Sequence, residues 1–179
     1  MGFILMSRYS KEIIKSMNFL SSKKQTIFLG QSVIYPGNLL FKTLNQIEKK
    51  KKIELPVFEE VQMGMSLGMS LNGMIPVTCF PRFDFLLCGM NQLVNHTDKI
   101  EIITKRQYLP RMIIRVLVGA RKPLDGGEQH TQNYVKMFKK IFKTIKVYDL
   151  KDQKYIFRSY KEAYKNKKIN LMVEYSEKY

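Results

Sequence analysis

Apolar positions along the chain switch between two spacings. From Ser7 to Leu20, Ile13, Ile14, Met17 and Leu20 recur at helical intervals with lysines between them. Thr26-Ile-Phe-Leu-Gly30 is a short apolar run closed by glycine, which predicts a buried strand. Asn38 is placed to cap a helix through Ile47 that carries Leu39, Leu40 and Leu44. Lys49–Lys52 reads as a solvated loop and Ile53–Val57 as a second strand. A helix follows over Glu59–Asn72, stopped by Gly73, then a strand over Ile75–Phe80. Phe83–Asn95 is helical, in a pattern that extends toward Lys105. Met112–Val118 is an unbroken apolar strand apart from Arg115, and 119–130, with Gly119, Pro123, Gly126 and Gly127, is a loop. Helices over Thr131–Thr144 and Asp152–Asn166 alternate with strands over Ile145–Leu150 and Ile169–Tyr175.

Strands that alternate with helices and lack two-residue alternation are covered on both faces in a mostly parallel sheet. The pattern therefore predicts a three-layer α/β/α domain of about six strands. Ligands of such sheets gather at the carboxyl ends of the strands. The loops after positions 30, 57, 80 and 118 are where chemistry is expected.

The helix after position 58 is unusual. Gly64 and Gly68 lie one turn apart, and each costs about 1 kcal/mol against alanine in a helix interior. Close approach by another backbone is the usual compensation. Met63, Met65, Leu67, Met69 and Leu71 make the helix apolar nearly all round, so it lies in a core or under a second subunit. Glu59 and Glu60 open it directly after a strand. A first-turn glutamate is favoured by the helix dipole alone. A buried one there would have to be protonated or paired.

Composition adds charge to this picture. The 179 residues carry 31 Lys and Arg against 15 Asp and Glu, a net charge of +16. The excess avoids the middle: residues 53–98 hold one basic residue, Arg82, among five acidic ones. Lysine-rich helix faces, such as the one expected to carry Lys139, Lys140, Lys143 and Lys146, read first as solvated surface. A basic face for an acidic partner or polynucleotide is the other reading. Cys79 and Cys88 are the only cysteines, too few for a disulfide framework and wrongly spaced for zinc. No apolar run approaches the roughly 18 residues of a membrane span. The opening apolar stretch is too short for a signal peptide, and Gly2 lacks the Ser or Thr that myristoylation wants at position 6. A cytoplasmic location is expected.

Several collinear segments together carry a resemblance. Pro56-Val-Phe-Glu59, then Gly64, Gly68, Gly73 and Pro76-Val77, is similar to the pyrimidine-binding domain of thiamine diphosphate enzymes. It most resembles the β-subunits of pyruvate, branched-chain and acetoin dehydrogenases. Phe83-Asp84-Phe85 resembles the family's aromatic-x-Phe segment. Gln92-Leu-Val-Asn95 with Lys99 resembles its Asp-Gln-Ile-x-Asn helix. Arg115, Gln129-His130-Thr131-Gln132 and Val173-Glu174 stand at further family positions. Gly30-Gln31-Ser32-Val33 resembles a Gly-Glu-Asp-Val signature with Gln31 replacing an acid. The resemblance is clearest over 26–175 of a single domain spanning 1–179, with 1–25 as an N-terminal helix.

The resemblance implies a thiamine diphosphate-binding fold of the pyrimidine-binding type and a β-like subunit of a 2-oxo acid dehydrogenase or decarboxylase. It implies Glu59 as the carboxylate that bonds and activates the cofactor's aminopyrimidine, chosen over Glu60 by its spacing from Pro56 and Gly64. Phe85 would stack on that ring and Pro81 line the same pocket. His130 would transfer a proton or bind the substrate carboxylate. His96 has no role assigned.

The family's Gly-Asp-Gly…Asn-Asn motif, which holds magnesium and diphosphate, is missing from this chain. The implied cofactor is therefore shared with an α-like partner that holds the magnesium, in an α2β2-like hetero-oligomer; no metal site is expected here. The chain stops where family β-subunits continue into a carboxyl-terminal domain. A separate chain for that domain, or a lipoyl acyltransferase, is a further expected partner. Leu117, Arg121, Lys122 and Glu128 replace a small, Gly-rich family loop and bear on substrate preference. Two other readings stand beside the enzyme subunit: a non-catalytic scaffold that kept the fold, and a polyanion or nucleic-acid binder resting on charge alone.

Overall fold

The computed structural model describes residues 6–122 and 125–179. The opening stretch with Gly2, and Pro123 of the expected loop, lie outside the described residues. Six parallel strands form one sheet: β1 (Thr26–Gly30), β2 (Lys52–Glu54), β3 (Ile75–Phe80), β4 (Met112–Val118), β5 (Lys146–Asp149) and β6 (Ile169–Tyr175). Their order across the sheet is β2-β1-β3-β4-β6-β5. The helices are α1 (Arg8–Ser21), α2 (Leu39–Leu44), α3 (Glu59–Leu71), α4 (Phe83–Leu86), α5 (Ile100–Ile103), α6 (Val135–Ile141) and α7 (Ile156–Lys165).

Side-chain alternation within the strands divides the core into two halves. Ile113 and Leu117 of β4 and Met172 of β6 face α1, α2 and α7, where Tyr9, Ile13, Met17, Leu40, Leu44 and Tyr160 are buried. Ile114, Val116, Leu171 and Val173 face the other way, onto Met63 and Leu67 of α3, Phe83 and Leu86 of α4, and Val135 and Phe138 of α6. Helices thus cover both faces, and the three-layer α/β/α expectation is met.

Boundaries depart from expectation where a side chain intercepts the backbone. The stretch from Phe83 to Lys105 is a chain of short pieces: α4, a 3-10 turn over Leu87–Gly89, a π-helical turn over Asn91–Thr97, then α5. Lys49–Lys51 forms a 3-10 turn rather than a loop, and Lys52 already belongs to β2. β2 ends at Glu54 because its neighbour β1 ends at Gly30 and Pro56 has no N–H to give. α6 starts at Val135, not Thr131, because Asn133 Oδ1 accepts the Val135 N–H at 3.1 Å. It ends before Lys143 because the buried Asp98 carboxylate accepts the N–H groups of Lys143, Thr144 and Ile145. Lys143 and Lys146 are therefore not on that helix. Burial alone would raise the Asp98 carboxyl; the Lys99 ammonium and these N–H groups outweigh it and hold it below the usual range.

One polar network crosses the apolar core on the α1/α7 side. Arg115 of β4 and Glu174 of β6 have no exposed side-chain surface. Their contact is bidentate, Nε to Oε1 at 2.7 Å and Nη2 to Oε2 at 2.9 Å. The Tyr160 and Tyr179 hydroxyls also donate to this carboxylate. Burial, then the Glu174 charge, pushes both phenols far up, so both remain donors. Nearby, Tyr9 donates to the Leu150 carbonyl at 2.9 Å and accepts from the Tyr175 N–H. Cys79 lies beside Arg115 in register and burial pushes its thiol up to about 11, so it behaves as a small apolar side chain. Removing one charge of a buried pair leaves the other uncompensated, at a cost of about 3–5 kcal/mol. Glu174→Gln should lower the unfolding free energy by about that amount, measured by urea denaturation. A loss below about 1 kcal/mol would mean that the pair contributes no more than a surface one.

Candidate functional site

The sheet order reverses direction between β1 and β3: the chain leaves β1 toward β2 on one side and returns to β3 on the other. The carboxyl ends of β1 and β3 therefore flank a crevice, the place where ligands bind in open α/β sheets. Gly30 closes β1 with φ +143°, and a Cβ there would stand 2.3 Å from the Cys79 carbonyl oxygen. Only glycine permits that approach. Beyond it, the Glu54 carboxylate folds the next turn by accepting the N–H groups of Ser32, Val33 (2.9 Å) and Ile34 (2.7 Å). Gln62 of α3 donates to Thr78 Oγ1 at 2.9 Å and to the Cys79 carbonyl at 3.0 Å, holding α3 against the end of β3.

A cavity of about 250 Å³ opens in this crevice, lined by Gln31, Ser32, Pro81, Arg82, Phe85 and His130 among others. Complete small-molecule pockets run from roughly 300 to 1,000 Å³. This one is better described as a wall of a site than as an enclosed one. It brings together three of the four residues singled out in the sequence: Pro81, Phe85 and His130, from two stretches far apart in the chain.

The two phenylalanines of the Phe83-Asp84-Phe85 segment divide their tasks. Phe83 is fully buried and stacks on Phe138 with ring centroids 5.5 Å apart. Phe85 is only partly buried and meets the edge of the His130 ring at 5.5 Å. His130 Nδ1 lies 2.8 Å from the Gly126 carbonyl. A carbonyl only accepts, so Nδ1 carries the proton and Nε2 is the nitrogen left for chemistry. The backbone here is tightly packed: a Cβ on Gly119 would stand 1.8 Å from the His130 carbonyl oxygen.

Glu59 stands outside the lining of this cavity, as the first residue of α3. It is half-buried, with its carbonyl packed against Gly89, one turn beyond Phe85. Among the described residues its carboxylate has no hydrogen-bond partner, whereas Glu60 accepts from Asn91 Nδ2 at 2.9 Å. Of the acidic pair, Glu59 is thus the free one. A Cβ on Gly64 would stand 3.7 Å from the Gln92 side chain, and one on Gly68 would meet no described atom within 4 Å. Among the described residues, no backbone uses the room that Gly68 leaves.

Arg82 is the residue that sequence reasoning passed over. It lines this cavity and a neighbouring one of about 550 Å³ that it shares with His130, Lys122 and Tyr179. It is half-buried; burial lowers its pKa and Asp84 acts in the opposite sense. Its Nη1 donates to the Pro81 carbonyl at 2.7 Å, while Asp84 Oδ2 is buried without a partner. The signal was present in the sequence: Arg82 is the lone cation in the acidic middle. Among the described residues, no group of three His, Cys, Asp or Glu is placed to hold a metal. Both cysteines are free, and no described helix is long and apolar enough to cross a membrane.

The division between Phe83 and Phe85 is testable. Phe83→Ala should cost about 3–5 kcal/mol, as for a fully buried aromatic, and Phe85→Ala less than half of that. Equal losses in chemical denaturation would place Phe85 in the core instead of on the cavity wall.

No protein-family model matches the chain. It is 27% identical over 113 residues to the pyruvate dehydrogenase E1 component subunit beta of Rickettsia bellii, covering 62% of this chain and 34% of that protein. It is 23% identical over 126 residues to the 2-oxoisovalerate dehydrogenase subunit beta of Pseudomonas aeruginosa, covering 68% and 35%. With the pyruvate dehydrogenase E1 subunit beta of Acholeplasma laidlawii it shares 20% over 130 residues, covering 70% and 38%. The chain thus spans about a third of the length of these relatives. Among solved structures, a split gene transketolase chain, described as an inactive beta4 tetramer, superposes with a TM-score of 0.59 at 14% identity, covering 94% of this chain and 50% of that one. The resemblance drawn from the residues is therefore matched by comparison: in sequence the chain is similar to the beta subunits of 2-oxo acid dehydrogenases, and its fold is of the transketolase type.

Proposed function

We propose that the chain, as a single pyrimidine-binding domain, is a β-like subunit of a thiamine diphosphate-dependent 2-oxo acid dehydrogenase or decarboxylase, acting in the cytoplasm. The observation that carries this reading is the convergence of Pro81, Phe85 and His130 on one cavity wall at the sheet's switch point. The donor set fits the aminopyrimidine half of the cofactor: a partly exposed ring, a carboxylate with no partner among the described residues, and an imidazole with a free nitrogen. Thiamine diphosphate, when bound, supplies the carbon nucleophile and the electron sink for decarboxylation.

This chain's residues supply the rest. Glu59 holds a proton at a ring nitrogen of the aminopyrimidine. Phe85 supports the face of that ring, and Pro81 closes the apolar wall beside it. His130 Nε2 exchanges a proton with the substrate or binds its carboxylate. The diphosphate and magnesium fall to an α-like partner in an α2β2-like assembly. A separate carboxyl-terminal-domain chain or a lipoyl acyltransferase would complete the complex.

An unsatisfied surface supports the partner. Val57, Phe58, Val61 and Met65 are exposed along α3 and the turn before it, and Gly68 leaves room beside them for another backbone. A scaffold reading stands second, because the split gene transketolase chain of the same fold is described as an inactive beta4 tetramer.

In the assembled complex, Glu59→Gln should lower 2-oxo acid decarboxylation, followed with an artificial electron acceptor, by roughly 10²–10⁴-fold with the fold intact by circular dichroism. Full activity in that variant would remove Glu59 from the mechanism. A native complex without thiamine diphosphate in its mass spectrum would favour the scaffold.

Gly68 offers a separate test of the interface. In the isolated chain, Gly68→Ala should raise stability by about 0.5–1 kcal/mol. Gly68→Leu puts a bulky side chain where an added Cβ meets no described atom within 4 Å, and should leave the monomer folded but abolish co-purification of the partner. Undiminished co-purification of the Leu variant would take α3 out of the interface.

A further inference from the structure

On the layer opposite α3, a groove of about 800 Å³ runs between α1 and α7. Arg158, Lys161 and Lys165 line it from α7 at steps of three and four residues, one face of that helix, about 10 Å long at 1.5 Å per residue. Lys154 joins them from the 3-10 turn Gln153–Tyr155 just before α7. Arg8 and Lys15 line it from α1. Six cations thus meet two carboxylates, Glu12 and Glu162, and Glu162 already accepts from Lys146 and the Tyr148 hydroxyl. Among the described residues, none of the six makes an ion pair. Holding like charges together in one groove without anionic partners is unfavourable, and an anionic ligand relieves it.

Two features choose the kind of anion. The aromatic ring in the groove, Phe157, already carries the Lys15 ammonium at 4.4 Å and the Lys161 ammonium at 5.4 Å from its centroid. Single-stranded nucleic acid is held by bases stacked on free aromatic faces, and this ring has no such freedom. Glu12 from α1 and Glu162 from α7 also interrupt the basic lining. A phosphate ladder with a charge at every residue meets both, whereas a polypeptide can place neutral side chains opposite them.

We infer that the α1/α7 groove docks an acidic, Asp/Glu-rich polypeptide segment of a partner protein. The groove lies on the other side of the sheet from α3 and away from Glu59, Phe85 and His130. It therefore stands or falls independently of the thiamine reading, and its occupant can bind while α3 is covered.

The test uses the full chain and a fluorescein-labelled oligoglutamate peptide of about 20 residues, about 30 Å when helical, with an oligothymidylate of equal charge as rival probe. Fluorescence anisotropy is read at about 50 and 300 mM salt, across which screening lengths fall. The expected result is binding of the peptide that weakens with salt and drops at least about tenfold in Arg158→Glu/Lys161→Glu. The equal charge change Lys139→Glu/Lys140→Glu, on exposed α6 residues of the opposite layer, should shift it less than about threefold. The milder Arg158→Gln/Lys161→Gln keeps the comparison available if the reversal unfolds the chain, and should fall between the two. Equal losses in the groove and α6 variants would assign the binding to net charge and overturn the groove. So would tighter binding of the oligothymidylate with loss in the same groove variant, or no binding of the peptide at either salt.

Discussion

Two charges inside the apolar core hold the central strands to the layer above them. Arg115 and Glu174 sit on adjacent strands, β4 and β6, and their bidentate contact faces α1 and α7. Tyr160 brings α7 to the carboxylate and Tyr179 brings the last described turn. The Glu174 carboxylate accepts from Arg115 and from both tyrosines, while Arg115 Nη1 is buried without a partner among the described residues, so losing the carboxylate would strand the guanidinium. In the pairing of β4 with β6, Arg115 lies opposite Met172 and Leu117 opposite Glu174. That register matters because β3 and β4 carry the loops that build the cavity wall.

From that anchored sheet the candidate site follows by close backbone approaches. Gly30 lets the ends of β1 and β3 meet, and Gly119 lets the loop after β4 pass under His130. Phe85 and Pro81 are placed by β3 and α4, and His130 by the loop after β4. What results is a wall with a free carboxylate nearby, not a closed pocket. The same incompleteness appears on the surface, where α3 exposes apolar side chains and an unfilled glycine. Both leave surface open among the described residues, as the proposed partner requires.

The helix order, the strand runs and the three layers were legible in the sequence because each rests on local periodicity and on runs of buried apolar residues. Gly30, Gly73 and Asn38 marked their turns and caps for the same local reason. Glu59, Pro81, Phe85 and His130 were singled out only through the family resemblance; the last three share one cavity wall and Glu59 stands outside its lining. Some element ends were missed because a side chain from a distant segment captures the backbone, as Asp98 does at 143–145. Arg82 was visible as an isolated cation, but nothing local says that it is half-buried between two cavities.

The sequence by itself determined the α/β class, the elements and which strands are covered on both faces, since these depend on neighbours a few residues away. Only the tertiary structure decided the strand order and hence the switch point. It also decided that Phe83 is core while Phe85 lines a wall, that Glu60 is engaged while Glu59 is free, and that scattered lysines and arginines converge in the α1/α7 groove. Each of these is a contact between segments far apart in the chain, and periodicity carries no information about such contacts.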